Sequence, residues 1–167
     1  IKQELEELIE DLDMGEKAKI TQDPRGVALE LDGDICFGSG SVVLKDELKK
    51  TLDTASLELM SNPKDLRSIL VEGHTDNQNP TGKIAERYPT NWELSSARAA
   101  NVVNYLIFKG VMSGRLTASG YADRWPSGAK WAEVRSGKID DLAIEENNAT
   151  LDQRVNNRRI KIIFGVK

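Results

Sequence analysis

Ile69-Leu70-Val71-Glu72-Gly73-His74-Thr75-Asp76, followed after a loop by Thr90-Asn91-Trp92-Glu93-Leu94-Ser95-Ser96-Ala97-Arg98-Ala99, decides how this chain folds. The apolar run Ile69-Leu70-Val71 predicts a buried strand over 68–74 that delivers Asp76 to its end. Thr90 and Glu93 fit a capping box, so a helix is expected to begin at Asn91 and run to 108, stopped by Gly110. Its unpaired N–H groups then face the end of the strand, where they favour an anionic group. Asn91 and Arg98 are two turns apart, roughly 10 Å along the axis, and point nearly the same way. That direction flanks the apolar stripe Ala99, Val102, Val103 and Leu106, which puts Arg98 on a crevice edge. An acid and a fixed cation at one crevice suit a zwitterion: Arg98 holds a carboxylate with two parallel N–H bonds while Asp76 takes an ammonium. Neither residue has to change protonation state at neutral pH, so this is recognition chemistry. The plainer alternative is an arginine that covers the helix–sheet seam and pairs with a nearby carboxylate.

Working outward, Val27, Leu29 and Leu31 alternate with polar or small residues, which predicts a half-buried strand, and Asp32-Gly33 suggests a hairpin turn into Ile35-Cys36-Phe37. Leu44, Leu48, Leu52, Ala55 and Leu59 form a helical stripe closed by Asn62-Pro63. Leu116 to Tyr121 gives another strand, and Ile160, Ile162 and Phe164 alternate with Arg159 and Lys161 in the last. Ile1, Leu5, Leu8, Ile9 and Leu12 recur at helical spacing ahead of Gly15. The expected fold class is α+β: a two-layer sandwich with a β-α-β-α-β-β core, helices packed on one face of a mixed sheet, and an N-terminal linker helix. The expected division is a linker helix and connector at 1–22 and a domain at 23–167, with insertions at 77–89 and 126–150.

The chain has 167 residues and a formal charge of −4, enough length for one core that buries roughly 70% of the unfolded surface. The acidic balance argues against a nucleic-acid surface. The basic group Arg154, Arg158, Arg159 and Lys161 is explained as the solvated side of an edge strand. Cys36 is the one cysteine, expected as a small buried apolar residue. No run approaches the ~20 apolar residues of a membrane span.

Gly73 to Ala99, together with Gly120-Tyr121-Ala122-Asp123, Asn157-Arg158-Arg159-Ile160 and the opening Phe37-Gly38-Ser39-Gly40, resembles the OmpA-like peptidoglycan-binding domain over roughly Val27 to Phe164. Within that family, Tyr88-Pro89-Thr90-Asn91-Trp92-Glu93-Leu94-Ser95 is most similar to the B subunit of flagellar motor stators, the MotB-like proteins. The resemblance implies that Asp76 and Arg98 hold the diaminopimelate of the peptidoglycan stem peptide, that Thr75, Asn91 and Leu94 line the pocket, and that Arg158 approaches from the last strand. It also implies a non-catalytic wall anchor without cofactor or metal, acting as a homodimer. Its further partner would be a channel-forming stator A subunit, reached through a membrane helix ahead of Ile1. The location implied is the periplasmic domain of a single-pass inner-membrane protein of a Gram-negative bacterium.

Two departures stand out. The loop 77–89 is longer than in plain members, and the insertion 126–150 carries Trp131 and the acids Asp140, Asp141, Glu145 and Glu146; the latter is expected to cover the pocket or contact a partner. Rival readings are weaker. His74 is the one histidine, and His-x-Asp falls short of the three protein ligands of a catalytic zinc. Ser95 across from His74 lacks a nucleophile-elbow pattern. Gly38-Ser39-Gly40-Ser41 lacks the final glycine of a dinucleotide fingerprint, since that position holds Val43. A wall anchor of a non-flagellar envelope protein or defence motor, or a protein-interaction module built on the leading helix and the acidic insertion, remain as alternatives.

Overall fold

Five strands make one open mixed sheet in the order β1-β2-β5-β3-β4 in the computed structural model, which describes residues 1–166. They are β1 (Ala18–Asp23), β2 (Gly26–Asp32), β3 (Ile69–His74), β4 (Leu116–Gly120) and β5 (Arg159–Gly165). β3 and β4 are parallel, which requires a crossover, and α5 (Asn91–Phe108) supplies it. Helix α1 (Lys2–Asp11), helix α3 (Asp46–Ala55) with a π turn to Met60, and α5 all add to one core. Leu5, Leu8, Leu48, Leu52, Val102 and Leu106 pack against Leu29, Leu31, Val71, Ile160, Ile162 and Phe164. This is an α+β sandwich with its main helices on one face of the sheet. The N-terminal helix docks on the same core through Leu5 and Leu8, both fully buried.

Several local expectations change. Residues 18–22, placed in the connector by the sequence, form with Asp23 the edge strand β1, paired antiparallel with β2 from Ala18↔Leu31 to Asp23↔Gly26. Its single strong apolar residue, Ile20, left it without a pattern, although Asp23-Pro24-Arg25-Gly26 carries turn residues. The Asp32-Gly33 hairpin is absent. Asp32 instead caps the short helix α2 (Gly33–Cys36), its carboxylate accepting from the Asp34 N–H at 3.0 Å, a role in which Asp competes with turn formation. Cys36 is fully buried, and burial pushes its thiol pKa up.

The largest correction concerns the basic residues of the last strand. β5 is the central strand, and Arg159 and Lys161 are buried rather than solvated. On the sheet face away from α5, Lys161 stands in register with Glu30 on one side and Glu72 on the other. Buried charges demand partners. Arg159 donates to Glu30 at 2.9 Å, Lys161 approaches Asp23 at 3.5 Å, and Arg25 bonds both Asp23 and Glu72. Trp125 roofs this layer, with Arg25 at 4.8 Å and Lys161 at 5.0 Å from its ring.

The insertion 126–150 neither covers the Asp76 crevice nor floats free. It holds α6 (Trp131–Arg135) and α7 (Asp141–Glu146), followed by α8 (Leu151–Asn157), and residues 128–132 face the polar side of β1, β2 and β5. Buried Asn157 ties it down: its Oδ1 accepts from the Ser127 N–H at 2.7 Å, and its Nδ2 donates to Asn147 O and Asn148 Oδ1 at 2.9 Å.

Candidate functional site: an acid and two arginines in one cleft

The N-terminus of α5 lies tight against the end of β3. A Cβ added to Gly73 would sit 2.2 Å from the Ser95 carbonyl oxygen, so only glycine permits this approach. The capping box forms as expected, Thr90 Oγ1 accepting from Trp92 N at 3.2 Å and Glu93 Oε2 accepting from Thr90 N at 2.9 Å. On the other side, Gly33 N donates to Arg158 O at 2.8 Å, and a Cβ at Gly33 would come within 2.7 Å of that oxygen. This close contact brings the start of β5, and with it Arg158, to the end of β3.

The result is a cleft of about 340 Å³ lined by Thr75, Asp76, Asn91, Leu94, Arg98 and Arg158 together with Phe37-Gly38-Ser39-Gly40 and residues 78–81. All six residues singled out from the sequence meet here. Asp76 is 5% exposed. Its Oδ2 accepts from Arg158 Nη1 at 2.7 Å and its Oδ1 from Gln78 N at 2.9 Å. Asn91 clamps the backbone around it, Nδ2 donating to Asp76 O at 3.2 Å and Gln78 O at 3.0 Å. The inserted loop 77–89, which holds the short helix α4 (Ile84–Arg87), is thereby anchored at its start and becomes a wall of the cleft. Thr75 donates from its hydroxyl to Asp76 O at 2.8 Å and from its N–H to Ala122 O at 2.9 Å.

Arg98 does not pair with Asp76. Its Nε donates to Ser41 O at 2.9 Å and its Nη2 to Gly38 O at 3.4 Å, while its guanidinium lies 5.0 Å from the Phe37 ring. Burial pulls its pKa down from the usual arginine value. Among the described residues Nη1 makes no hydrogen bond, which leaves one edge of a desolvated cation for a ligand. Sequence reasoning missed the partners Phe37, Gly38 and Ser41, although the first two stand in the Phe-Gly-Ser-Gly segment that had been noted. It also missed Gln78, which carries no pattern at all. The Asp76–Arg158 pair was not foreseen, because only the register of β5 brings residues 82 positions apart together.

His74 and Ser95 belong to separate networks. His74 Nε2 lies 3.0 Å from Glu72 Oε2, its ring stacked on Tyr121 at 5.2 Å and edge-on to Trp125 at 5.8 Å. Burial, reinforced by Arg159, pushes its pKa down to about 4 against the upward pull of Glu72. The ring is neutral at pH 7 and donates to the carboxylate. Burial alone would raise Glu72, yet His74 and Arg25 outweigh it and hold the carboxyl below its ordinary range. Ser95 Oγ accepts from Ala122 N at 3.0 Å and donates to Trp92 O at 3.3 Å. These bonds fix α5 to the turn after β4; they do not build a nucleophile and base.

Comparison with known proteins follows the same lines. The chain is similar to YtxE, an uncharacterized protein of Bacillus subtilis (strain 168), at 33% identity over 151 residues, 89% of this chain and 52% of that protein. It thus spans about half the length of that relative. Its fold matches a putative MotB-like protein from Desulfovibrio vulgaris (TM-score 0.75, 21% identity, covering 99% of this chain and 91% of the other). It also matches the cell wall anchor of the T6SS from Pseudomonas aeruginosa (TM-score 0.70, 27% identity, covering 99% of this chain and 100% of the other). The family model for OmpA matches residues 36–137, a stretch that includes the Phe-Gly-Ser-Gly segment, Asp76 and Arg98, and the chain belongs to the OmpA family.

Proposed function

We propose that this chain is a non-catalytic anchor that binds peptidoglycan, gripping the diaminopimelate of the stem peptide between Asp76 and Arg98. The observation that carries the reading is the shared cleft: a carboxylate with lone pairs to spare and a buried guanidinium with one edge uncommitted, not bonded to each other. A diaminopimelate head presents an ammonium and a carboxylate from one carbon. The ammonium joins Asp76 beside Arg158, and the carboxylate lies against Arg98 Nη1, with Arg158 adding a second cation. Thr75, Asn91 and Leu94 form the floor that holds both ends at fixed distance. No proton has to move, and the two candidate catalytic groups, His74 and Ser95, are spent on the fold.

The periplasmic anchor of an ion-driven motor stator is the best-supported setting, since the Tyr88–Ser95 segment and the fold of MotB-like proteins both point there. A membrane helix ahead of Ile1, a homodimer and a channel-forming partner subunit complete that reading. The match to the T6SS wall anchor over the whole of that chain favours a second setting, the wall tether of another envelope machine. In both, wall binding is the function of this domain. Purified sacculi are expected to pull down the wild-type chain and to release Asp76→Ala and Arg98→Ala. Equal retention of all three folded proteins would overturn the proposal.

A further inference from the structure

A second cleft of about 430 Å³ lies away from Asp76, between the polar side of β1 and β2 and the start of the 126–150 insertion. That volume is in the range of small-ligand sites, about 300–1,000 Å³. Its walls are two of the three tryptophans, Trp125 and Trp131. Trp125 is fixed: its Nε1 donates to Ala129 O at 2.8 Å, and Arg25 and Lys161 lie against its ring. Trp131 is half-buried at the start of α6, with Arg135 at 5.9 Å from its ring. Ionic pairs form the floor, Arg159 with Glu30 and Lys161 with Asp23. Exposed Lys19, Gln22 and Lys130 stand at the rim.

These features select against most ligands. Because each floor cation is buried and already faces a carboxylate, the floor presents little net charge, so it suits neither a polyanion nor a free cation. The only histidine and the only cysteine lie elsewhere. What the cleft combines is the half-buried indole of Trp131, backed by Trp125, which is 4% exposed, and the polar rim groups of Lys19, Gln22 and Lys130. A pyranose ring has the complementary surface, with axial C–H groups forming an apolar face and hydroxyls or acetamido groups around its edge.

We infer that the Trp125–Trp131 cleft is a glycan subsite for the N-acetylhexosamine strand of the cell wall. The inference rests on the wall-binding reading and adds a second contact to it: the Asp76 cleft takes the stem peptide, and the tryptophan cleft takes sugar. Two weak contacts on one polymer act in series. Once the first is made, the second is effectively intramolecular, so a domain with both holds the wall far longer than either affinity suggests.

The test is calorimetric titration of the whole chain with tetra-N-acetylchitotetraose in one arm and meso-diaminopimelate in the other. Chitotetraose is expected to bind the wild type, Trp131→Ala to weaken it roughly tenfold or more, and Trp131→Phe to keep most of it. The wild type and both variants should bind diaminopimelate equally. Trp92→Ala, exposed on α5, should bind both ligands as the wild type does. The inference is overturned if chitotetraose does not bind while diaminopimelate does, or if folded Trp131→Ala binds it as tightly as the wild type. Trp131-dependent chitotetraose binding without diaminopimelate binding would sink the stem-peptide reading and leave the sugar site standing.

Discussion

Arg158 donates to the Asp76 carboxylate at 2.7 Å, while Arg98 on the facing helix bonds the backbone carbonyls of Ser41 and Gly38. The carboxylate is therefore aimed by one arginine and the other is held apart from it, so a zwitterionic ligand would find no Asp76–Arg98 pair to break. Asp76→Asn removes the charge that both the ligand ammonium and Arg158 use. It should weaken diaminopimelate binding by about 2–5 kcal/mol. Because the Asp76 side chain is 7% exposed while that of Arg158 is 28% exposed, stability should fall by about 1–3 kcal/mol. Calorimetry and thermal melts on the same samples separate the two effects.

Arg98→Lys should be nearly as damaging to binding as Arg98→Ala. A lysine cannot bond Ser41 O and Gly38 O together and still present a planar edge to a carboxylate. Loss of those two loop contacts should also lower stability by about 1–3 kcal/mol. Binding by Arg98→Lys within threefold of the wild type would refute capture by the guanidinium fork.

Gly73→Ala tests how the cleft is built. The new methyl meets the Ser95 carbonyl oxygen at 2.2 Å, and a helix backbone cannot yield as a side-chain tip can. α5 must shift away from β3, carrying Asn91 and Arg98 with it. The expected cost is roughly 3 kcal/mol or more, read as a lower urea midpoint, with diaminopimelate affinity falling as well.

Stability should fall on the acid side of neutrality because of His74. Its pKa in the fold is about 4 against an ordinary 6.5, so the neutral ring is the native form. Below about pH 6.5 the unfolded chain takes up a proton that the folded chain refuses until about pH 4. Stability complete above that window is therefore lost through it, by roughly 3 kcal/mol in total. His74→Gln keeps a donor for Glu72 and cannot titrate, so urea unfolding from pH 7 to 4 should show a flatter slope. An unchanged slope would assign the acid sensitivity to other groups.

Breaking the buried ionic layer should cost more than any exposed pair. Arg25→Ala leaves Glu72, fully buried, with the His74 ring as its side-chain partner, and should destabilise the fold by about 3–5 kcal/mol. Chemical denaturation provides the measurement.

Period and capping made much of this fold legible. The strand at 69–74, the helix from Asn91 and its Thr90/Glu93 box follow from residues within one turn of each other, and the helical faces of α1 and α3 follow from apolar spacing. What stayed hidden depends on register between distant segments. Arg159 and Lys161 look like solvated residues until Glu30, Glu72 and Asp23 are placed across from them. β1 has too little apolar pattern to be seen without β2. The six cleft residues were named from motif positions, but the link from Arg158 to Asp76 and the carbonyl cradle around Arg98 required the sheet order and the path of residues 38–41.

The most direct test of the central claim is a ¹H–¹⁵N correlation titration of the wild-type chain with meso-diaminopimelate, paired with Asp76→Asn. Shifts are expected at Thr75, Asp76, Gln78, Asn91 and the Nε groups of Arg98 and Arg158, and they should be absent in the variant. A wild-type spectrum that stays unchanged up to about 10 mM ligand, or identical shifts in both proteins, would contradict the account.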